Sequence, residues 1–510
     1  MNILFITIDQ WRADWLGANG SDFIRTPHLD SLAKEGVLFR HHYTSSAPCG
    51  PSRATLHTGM YPSNHRSIRN GTPLNETLTN IALEARKAGY NPTLFGYTDT
   101  SADPRYRAPD DPALRSYEGI LPGFDVGVCL SEEGTPWLSF LKEQGYSVNR
   151  TGYDIYHPDP SYSLKDGEHV TKAPTVFKSE HSETAWLTQR ALEYMTFDRQ
   201  DKFFCHLSYL RPHPPFIASP DYHLMYRPSD MKDPIDFGDV DNVAQTHPFL
   251  QSSLNSIRQG TFYMTGTGLT KDLEKADVQQ IRATYSALVS EVDNNIGALL
   301  FELKETGKYD DTLIVVTADH GEQLGDHHLF GKLGFYDQSF HIPLIIKPPA
   351  SWNGIRGHSV QAFTESVDVT PTILDLIGLP IPAQCDGRSL TSWLKGEIPD
   401  KWRDAVHWLY DFRDLEKGAI EKELGLSHEE CSLLVYRDES FKYVHFAALP
   451  PLLFDLQNDP DEMHNLAEEP DYQAVVLDYA QKLLSWRMSN EYGALDKYLL
   501  TKNGLITPTS

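Results

Sequence analysis

Asn2–Ile8 (NILFITI) is an almost unbroken apolar run that stops at Asp9-Gln10, and it limits the possible folds more than any other stretch. A strand with one wet face alternates apolar and polar residues. A continuous run marks a strand covered on both faces, which places it in a parallel sheet between helical layers. A second such run, Thr312–Thr317, ends in Ala318-Asp319-His320-Gly321. Between the two, helical patterns and short strands alternate. Thr26-Pro27 reads as an N-cap with Pro at N1, opening a helix Pro27–Glu35 that closes at Gly36. A helical pattern over Leu74–Ala88 precedes a strand at Thr93–Tyr97, and a helix near Ser182–Phe197 precedes the strand Phe203–Ser208. The long helix Asp277–Glu305 keeps Ile281, Leu288, Val292, Ile296, Leu299 and Leu303 near one face. This alternation predicts an α/β sandwich with a large, mostly parallel sheet flanked by helices.

Two stretches, about 98–179 and 219–271, lack periodicity and read as elaborated surface inserts. After Gly378-Leu379-Pro380 the chain becomes turn-rich. Short strands near Ala405–Trp408, Ser432–Tyr436 and Phe441–Phe446, then a helix over about Tyr472–Met488, predict a small antiparallel sheet with a packed helix. The expected division is a large α/β domain over 1–380, a small C-terminal α+β subdomain over 381–485 and an arm over 486–510. That arm carries Trp486, Tyr492, Leu495, Tyr498 and Leu499 beyond the expected domain edge, which predicts docking on a neighbour and a homo-oligomer.

A net charge of −25 argues against a nucleic-acid or anionic-membrane partner. It leaves room for an anionic substrate, because a metal and a few cations can make one pocket locally positive. The cysteines at 49, 129, 205, 385 and 431 form no CxxC pair, so neither a disulfide framework nor a cysteine zinc site is indicated. The N-terminal run lacks a basic leader and a small-residue cleavage site and reads as the first strand of the fold. No later apolar run reaches the length of a membrane span. A soluble, cytoplasmic protein is expected.

Asp9-Gln10 and Asp319-His320 each stand where a parallel strand should end, and open α/β sheets bind ligands at the carboxyl ends of their strands. Two carboxylates, an amide oxygen and an imidazole suit a divalent Mn²⁺ or Ca²⁺ better than a structural zinc. The run Ala47-Pro48-Cys49-Gly50-Pro51-Ser52-Arg53 then puts a cysteine just ahead of a helical pattern, with Pro51 suited to the first helical position. A helix N-terminus stabilises an anionic group through its free N–H groups and dipole.

Cys49-x-Pro51-Ser52-Arg53, followed by Leu56-x-Thr58-Gly59, resembles the signature by which sulfatases mark a cysteine for oxidation to formylglycine. Leu313–Glu322 (LIVVTADHGE), Gly331-Lys332 and Pro343-Leu344-Ile345 look like the metal strand and following loop of the sulfatase/alkaline-phosphatase superfamily. Thr370–Asp375, Asp386-Gly387-x-Ser389-Leu390 and Leu453–Glu462 are similar to its later signatures. Ordinary arylsulfatases typically show Asp-Asp and Asp-Asn where this chain has Asp9-Gln10 and Asp319-His320. With Arg69–Leu74, Gly96-Tyr97-Thr98 and Leu210–Pro215, the chain is most similar to phosphonate monoester hydrolases.

That resemblance implies an alkaline-phosphatase-like sandwich and a metal-dependent hydrolase of phosphonate monoesters and phosphodiesters, with sulfate esters as side substrates. The alternative is an arylsulfatase or small alkyl sulfatase of the same mechanism. Implied ligands of one divalent cation are Asp9, Gln10, Asp319, His320 and a diol oxygen at Cys49, with Arg53 orienting the diol or the metal. The diol hydroxyl would attack in line, forming a covalent hemiacetal that the second hydroxyl then collapses. Asn70, Tyr97, His213 and Lys332 would line the pocket, with His213 or Lys332 as the acid that protonates the leaving alcohol. The family places a hydroxyl residue shortly after the tyrosine. Thr98, Asp99 and Thr100 all stand there; Thr98 is the candidate, and an Asp99 pointed at an anionic substrate would be unfavourable. Implied partners are a small anionic ester, a transiently bound formylglycine-generating enzyme and further copies of the chain in a tetramer.

Overall fold

The strand Asn2–Ile8 lies inside an eight-stranded sheet in the computed structural model, which describes the chain except for residues 132, 149–151, 197–201, 492, 494–498, 503 and 507–510. In chain order the strands of the two main sheets are β1 (Asn2–Ile8), β2 (Val37–Tyr43), β3 (Ser46–Ala47), β4 (Pro92–Gly96), β5 (Asp125–Cys129), β6 (Phe204–Tyr209) and β7 (Thr312–Ala318). They continue with β8 (Leu344–Lys347), β9 (His358–Glu365), β10 (Val406–Asp411), β11 (Ser432–Arg437), β12 (Phe441–Phe446) and β13 (Leu452–Asp455). The large sheet has the order β5-β4-β6-β1-β7-β8-β2-β9, and only β8 runs against the others.

The continuous apolar runs are explained by burial on two sides. Leu4, Ile6 and Ile8 of β1, with Ile314, Val316 and Ala318 of β7, point into one core. Ile3, Phe5, Leu313 and Val315 point into another on the opposite face. The helix Lys275–Glu305 covers the first core with Ile281, Leu288, Val292, Ile296, Leu299 and Leu303. The helices Cys49–Thr58, Ile81–Lys87 and Val369–Leu376 cover the second through Leu56, Ile81, Ala85 and Ile373. Each Val, Leu, Ile or Phe among them contributes roughly 1.5–3 kcal/mol by leaving water, so a polar substitution on either face of β1 would be costly.

The second sheet, β13-β12-β11-β10-β3, is antiparallel through β10–β13. Its edge is completed by β3, which pairs in parallel with β10 two residues before Cys49. The helix Gln473–Ser489 packs on this sheet through Tyr479 and Leu483. A short hairpin, Leu499–Thr501 with Gly504–Ile506, leaves Leu499 and Leu500 exposed. Of the expected apolar arm residues, Tyr492, Leu495 and Tyr498 lie outside the described residues, as does Phe197 at the end of its expected helix.

Several expectations need correction. The helical pattern over Leu74–Ala88 yields a helix only at Ile81–Lys87. Asn75 takes the backbone and side chain of Thr77 into a turn, and Asn80 caps the helix by accepting from Ala82 N and Leu83 N. The insert over 98–179 contains the edge strand β5 and a helix Thr135–Glu143, and that over 219–271 contains helices Val240–Thr246 and Pro248–Ser256. β5 escaped the pattern because its first three residues face solvent and carry little apolar periodicity. Cys49, not Pro51, opens its helix, and Pro51 stands two residues further in. Proline is tolerated there because the first N–H groups of a helix have no intrahelical partner. Among the described residues, no helix is long and apolar enough to cross a membrane.

Candidate active site

The carboxyl ends of four neighbouring strands, β4, β6, β1 and β7, deliver the polar residues. Ile8 pairs with Ala318 across β1 and β7, so Asp9 and Asp319 emerge side by side. Tyr97 follows β4 by one residue, and the Leu210–Pro215 turn follows β6. Cys49 arrives from the other direction at the head of its helix, which the β3–β10 pairing anchors to the second sheet. A Cβ on Gly50 would be crowded, lying 3.1 Å from both Asn70 Oδ1 and the Asp99 carbonyl.

Arg53 organises the centre. It is fully buried, and its Nε donates to Asp319 Oδ2 at 2.9 Å while Nη2 reaches Asp9 Oδ2 at 3.3 Å. Nη1 donates to Ser208 Oγ at 2.6 Å and to the Tyr97 carbonyl at 3.2 Å, and the guanidinium lies 4.1 Å over the Tyr97 ring. Tyr97 OH donates to Asp9 Oδ2 at 2.6 Å. With both Oδ2 atoms held from behind, the Oδ1 atoms of Asp9 and Asp319 face His320 Nε2, each at 3.7 Å. Cys49 Sγ is 3.2 Å from the same nitrogen and 3.9 Å from Asp9 Oδ1. His320 Nδ1 donates to the Gly321 carbonyl at 3.0 Å, which leaves the Nε2 lone pair for the cluster.

Asp9, Cys49, Asp319 and His320 thus offer ligand atoms all within 4.8 Å of one another, and all four are buried. Electrostatics agree with a cation site. Burial opposes ionisation of Asp9, but the fields of His213, Lys332, His320 and Arg53 overcome it and hold the carboxyl well below its usual range. Burial and the charge of Asp9 push Asp319 up. Burial, then Lys332, lowers His320 to about 3, so its imidazole is neutral and able to ligate. Burial, then Asp9, raises the Cys49 thiol. Two crowded carboxylates and a neutral imidazole are a donor set that could hold a divalent cation.

The other expected residues divide. Lys332 is brought in: its Nζ donates to Gln10 Oε1 at 2.8 Å, and Cys49, Asp9, Asp319 and Glu322 outweigh burial to keep it charged. Gln10 has its other amide end on Glu322, so its side chain bridges Glu322 and Lys332. His213 is half-buried and near enough to Asp9 to lower the pKa of its carboxyl, with Nδ1 donating to the Pro214 carbonyl at 2.7 Å. Asn70 is exposed at the mouth and accepts from Gly50 N at 2.9 Å. Thr98 is drawn away from the pocket, donating to the Gly119 carbonyl and accepting from Leu121 N, both at 2.9 Å. Sequence reasoning missed Glu322, which accepts from Gln10 and from Leu324 N and Gly331 N and so fixes the loop carrying Lys332. The signal was its place at the end of the LIVVTADHGE run.

Residues 1–379 match the Sulfatase family, and residues 325–489 match the family described as N-sulphoglucosamine sulphohydrolase, C-terminal. The chain belongs to the sulfatase family. This sulfatase-family chain is 43% identical over 511 residues to the multifunctional alkaline phosphatase superfamily protein PehA of Trinickia caryophylli, covering 99% of each. Its structure is similar to the phosphonate monoester hydrolase of Agrobacterium radiobacter, with a TM-score of 0.96 and 42% identity over 100% of both chains. The phosphonate monoester hydrolase of Silicibacter pomeroyi matches with a TM-score of 0.93 and 42% identity over 99% of both. The fold is the alkaline-phosphatase-like sandwich that the sequence implied.

Proposed function

We propose that this protein is a metal-dependent hydrolase of phosphonate monoesters and phosphodiesters that uses a formylglycine made from Cys49, with sulfate esters as side substrates. The observation that carries the reading is the convergence of Asp9 Oδ1, Asp319 Oδ1, His320 Nε2 and the Cys49 side chain beside Lys332. Likeness to hydrolases of phosphonate monoesters over the whole chain supports the substrate class.

Asp9, Asp319 and His320, joined by Gln10 and the oxidised side chain at position 49, would hold one Mn²⁺ or Ca²⁺. Such a cation supplies Lewis-acid charge, which lowers the pKa of a hydroxyl and offsets negative charge on phosphoryl oxygens. Formylglycine supplies, as its hydrate, a hydroxyl where a thiol stood. The remaining work falls to the chain's own residues. Arg53 holds both Asp Oδ2 atoms and leaves both Oδ1 atoms facing His320 Nε2, where the cation would sit. Lys332, held charged by its acidic neighbours, acts as a fixed cation for a non-bridging oxygen, and Asn70, held at Gly50 N, offers its amide N–H to another. A lysine held so firmly protonated is a poor acid. His213, oriented by its Nδ1 contact with the Pro214 carbonyl and set near Asp9, is the better donor of a proton to the departing alcohol.

The test is a comparison of kcat/KM on a phosphonate monoester, a phosphodiester and an aryl sulfate, using protein whose Cys49 peptide shows the aldehyde by mass. The phosphorus esters are expected to lead, with activity lost to a chelator and restored by Mn²⁺ or Ca²⁺. An aryl sulfate turned over fastest would replace this reading with that of an arylsulfatase. Aldehyde-bearing protein inert to all three would overturn both.

A further inference from the structure

Beside the residues that hold and charge the site stands one acid, Asp99, whose only close cation among the described residues is Arg53, already shared with two other carboxyls. Asp99 is 7% exposed, and its Oδ1 is buried with no hydrogen-bond partner among the described residues. Its Oδ2 is 3.9 Å from Arg53 Nε, too long for a hydrogen bond, and that N–H is already given to Asp319. The neighbouring hydroxyls are spent on the backbone: Thr98 holds Gly119 and Leu121, and Thr100 donates to the Thr98 carbonyl at 3.1 Å. Asp99 stands at the first turn of the Cys49 helix, with its carbonyl against Gly50 and its charge felt by the Cys49 side chain.

The other acids of the centre differ in this respect. Asp9 and Asp319 share Arg53, and Glu322 receives two backbone N–H groups and the Gln10 amide. Asp99 is the third carboxyl around one guanidinium, four of whose five N–H groups donate to other residues. Burial, with Asp9, Glu118 and Asp319 nearby, makes its charged form costly despite Arg53. An ionised carboxyl here repels an incoming anion, and it repels a substrate bearing two negative charges about twice as strongly as one bearing a single charge.

We propose that Asp99 is a specificity-determining residue of this site, whose carboxyl group admits esters bearing one negative charge in preference to those bearing two. It therefore favours phosphodiesters and phosphonate monoesters over phosphate monoesters, whose second ionisation lies near pH 6. This inference rests on the ester-hydrolase reading above.

The test is Asp99→Asn, which keeps the shape, removes the charge and suits the left-handed backbone at this position, where φ is 47°. At pH 8, kcat/KM for a phosphate monoester relative to a phosphodiester is expected to rise about tenfold or more, the size that a nearby unit charge gives at protein dielectric. Calorimetry on the metal-loaded protein gives a readout free of turnover: affinity for sulfate, a dianion, should rise by a similar factor relative to dimethyl phosphate, a monoanion. Asp99→Gly, also tolerant of the positive φ, serves if the Asn variant folds poorly. Ratios within about twofold of wild type by both measurements, or a parallel fall for both charge classes, would overturn the proposal. Failure of the hydrolase reading looks different, as wild-type protein inert to every ester, and the calorimetric comparison still decides Asp99.

Discussion

Replacing Arg53 by lysine isolates what the guanidinium does, because the charge stays and the fork is lost. Arg53 makes four hydrogen bonds, to Asp319, Asp9, Ser208 and the Tyr97 carbonyl, from a fully buried position. A lysine ammonium is a compact point charge on a flexible stem, and it cannot span two carboxylates and two neutral acceptors lying in different directions. At least one buried carboxylate contact and one neutral acceptor are left unmade, costing roughly 3–5 kcal/mol together. With an unfolding entropy of about 2.1 cal/mol/K per residue over 510 residues, that corresponds to a fall in Tm of about 4 °C. The functional loss should be larger in proportion. The Oδ2 atoms are no longer drawn back, the two Oδ1 atoms lose their common orientation, and cation affinity is expected to fall about 10–100-fold. Scanning calorimetry and a Mn²⁺ titration of the variant measure the two effects separately. A Tm within about 1 °C of wild type together with cation affinity within about twofold would refute the argument.

Two further outcomes follow from other residues. Cys49→Ser provides one hydroxyl where the mechanism needs two, so it should release at most one equivalent of alcohol per site and then stall; sustained turnover would sink the diol chemistry. Glu291, buried in the helix Lys275–Glu305 with Oε1 unpartnered, has its carboxyl pushed by burial from 4.5 to about 7. The folded state then holds its proton more tightly than the unfolded state. Its contribution is complete below about pH 4.5 and is lost as pH rises through about 7, a change of about 3 kcal/mol. Glu291→Gln should remove that dependence and show, between pH 4.5 and 8, a Tm gain over wild type of about 3 °C; equal pH profiles for the two proteins would contradict it.

Much of the centre was legible in the sequence because its parts are marked locally. Cys49-x-Pro51-Ser52-Arg53 is contiguous, and both acidic pairs end apolar runs whose two-sided burial follows from composition alone. The helix Pro27–Glu35 was legible from Pro27 at its first position and Gly36 after its end, although Thr26 gives its hydroxyl to Asp30 instead of capping the backbone, and strand β12 from the turns around it. Patterns failed where side chains compete with the backbone, as at Asn75 and Asn80, or where an edge strand such as β5 is half in solvent.

By itself, then, the sequence determined which residue types stand at strand ends and at a helix start, since those depend on neighbours a few positions away. Only the tertiary structure decided which ends meet. The β1–β7 pairing joins residues some 300 positions apart and sets Asp9 beside Asp319, and β3 crosses to the second sheet to present Cys49. It also decided the direction of each side chain beyond a strand. Thr98 turns to its own loop, Asp99 turns to Arg53 with one oxygen unmatched, and Gln10 reaches Glu322 and Lys332. Such choices depend on closing long loops and on which buried polar group finds a partner, and neither is written in local pattern.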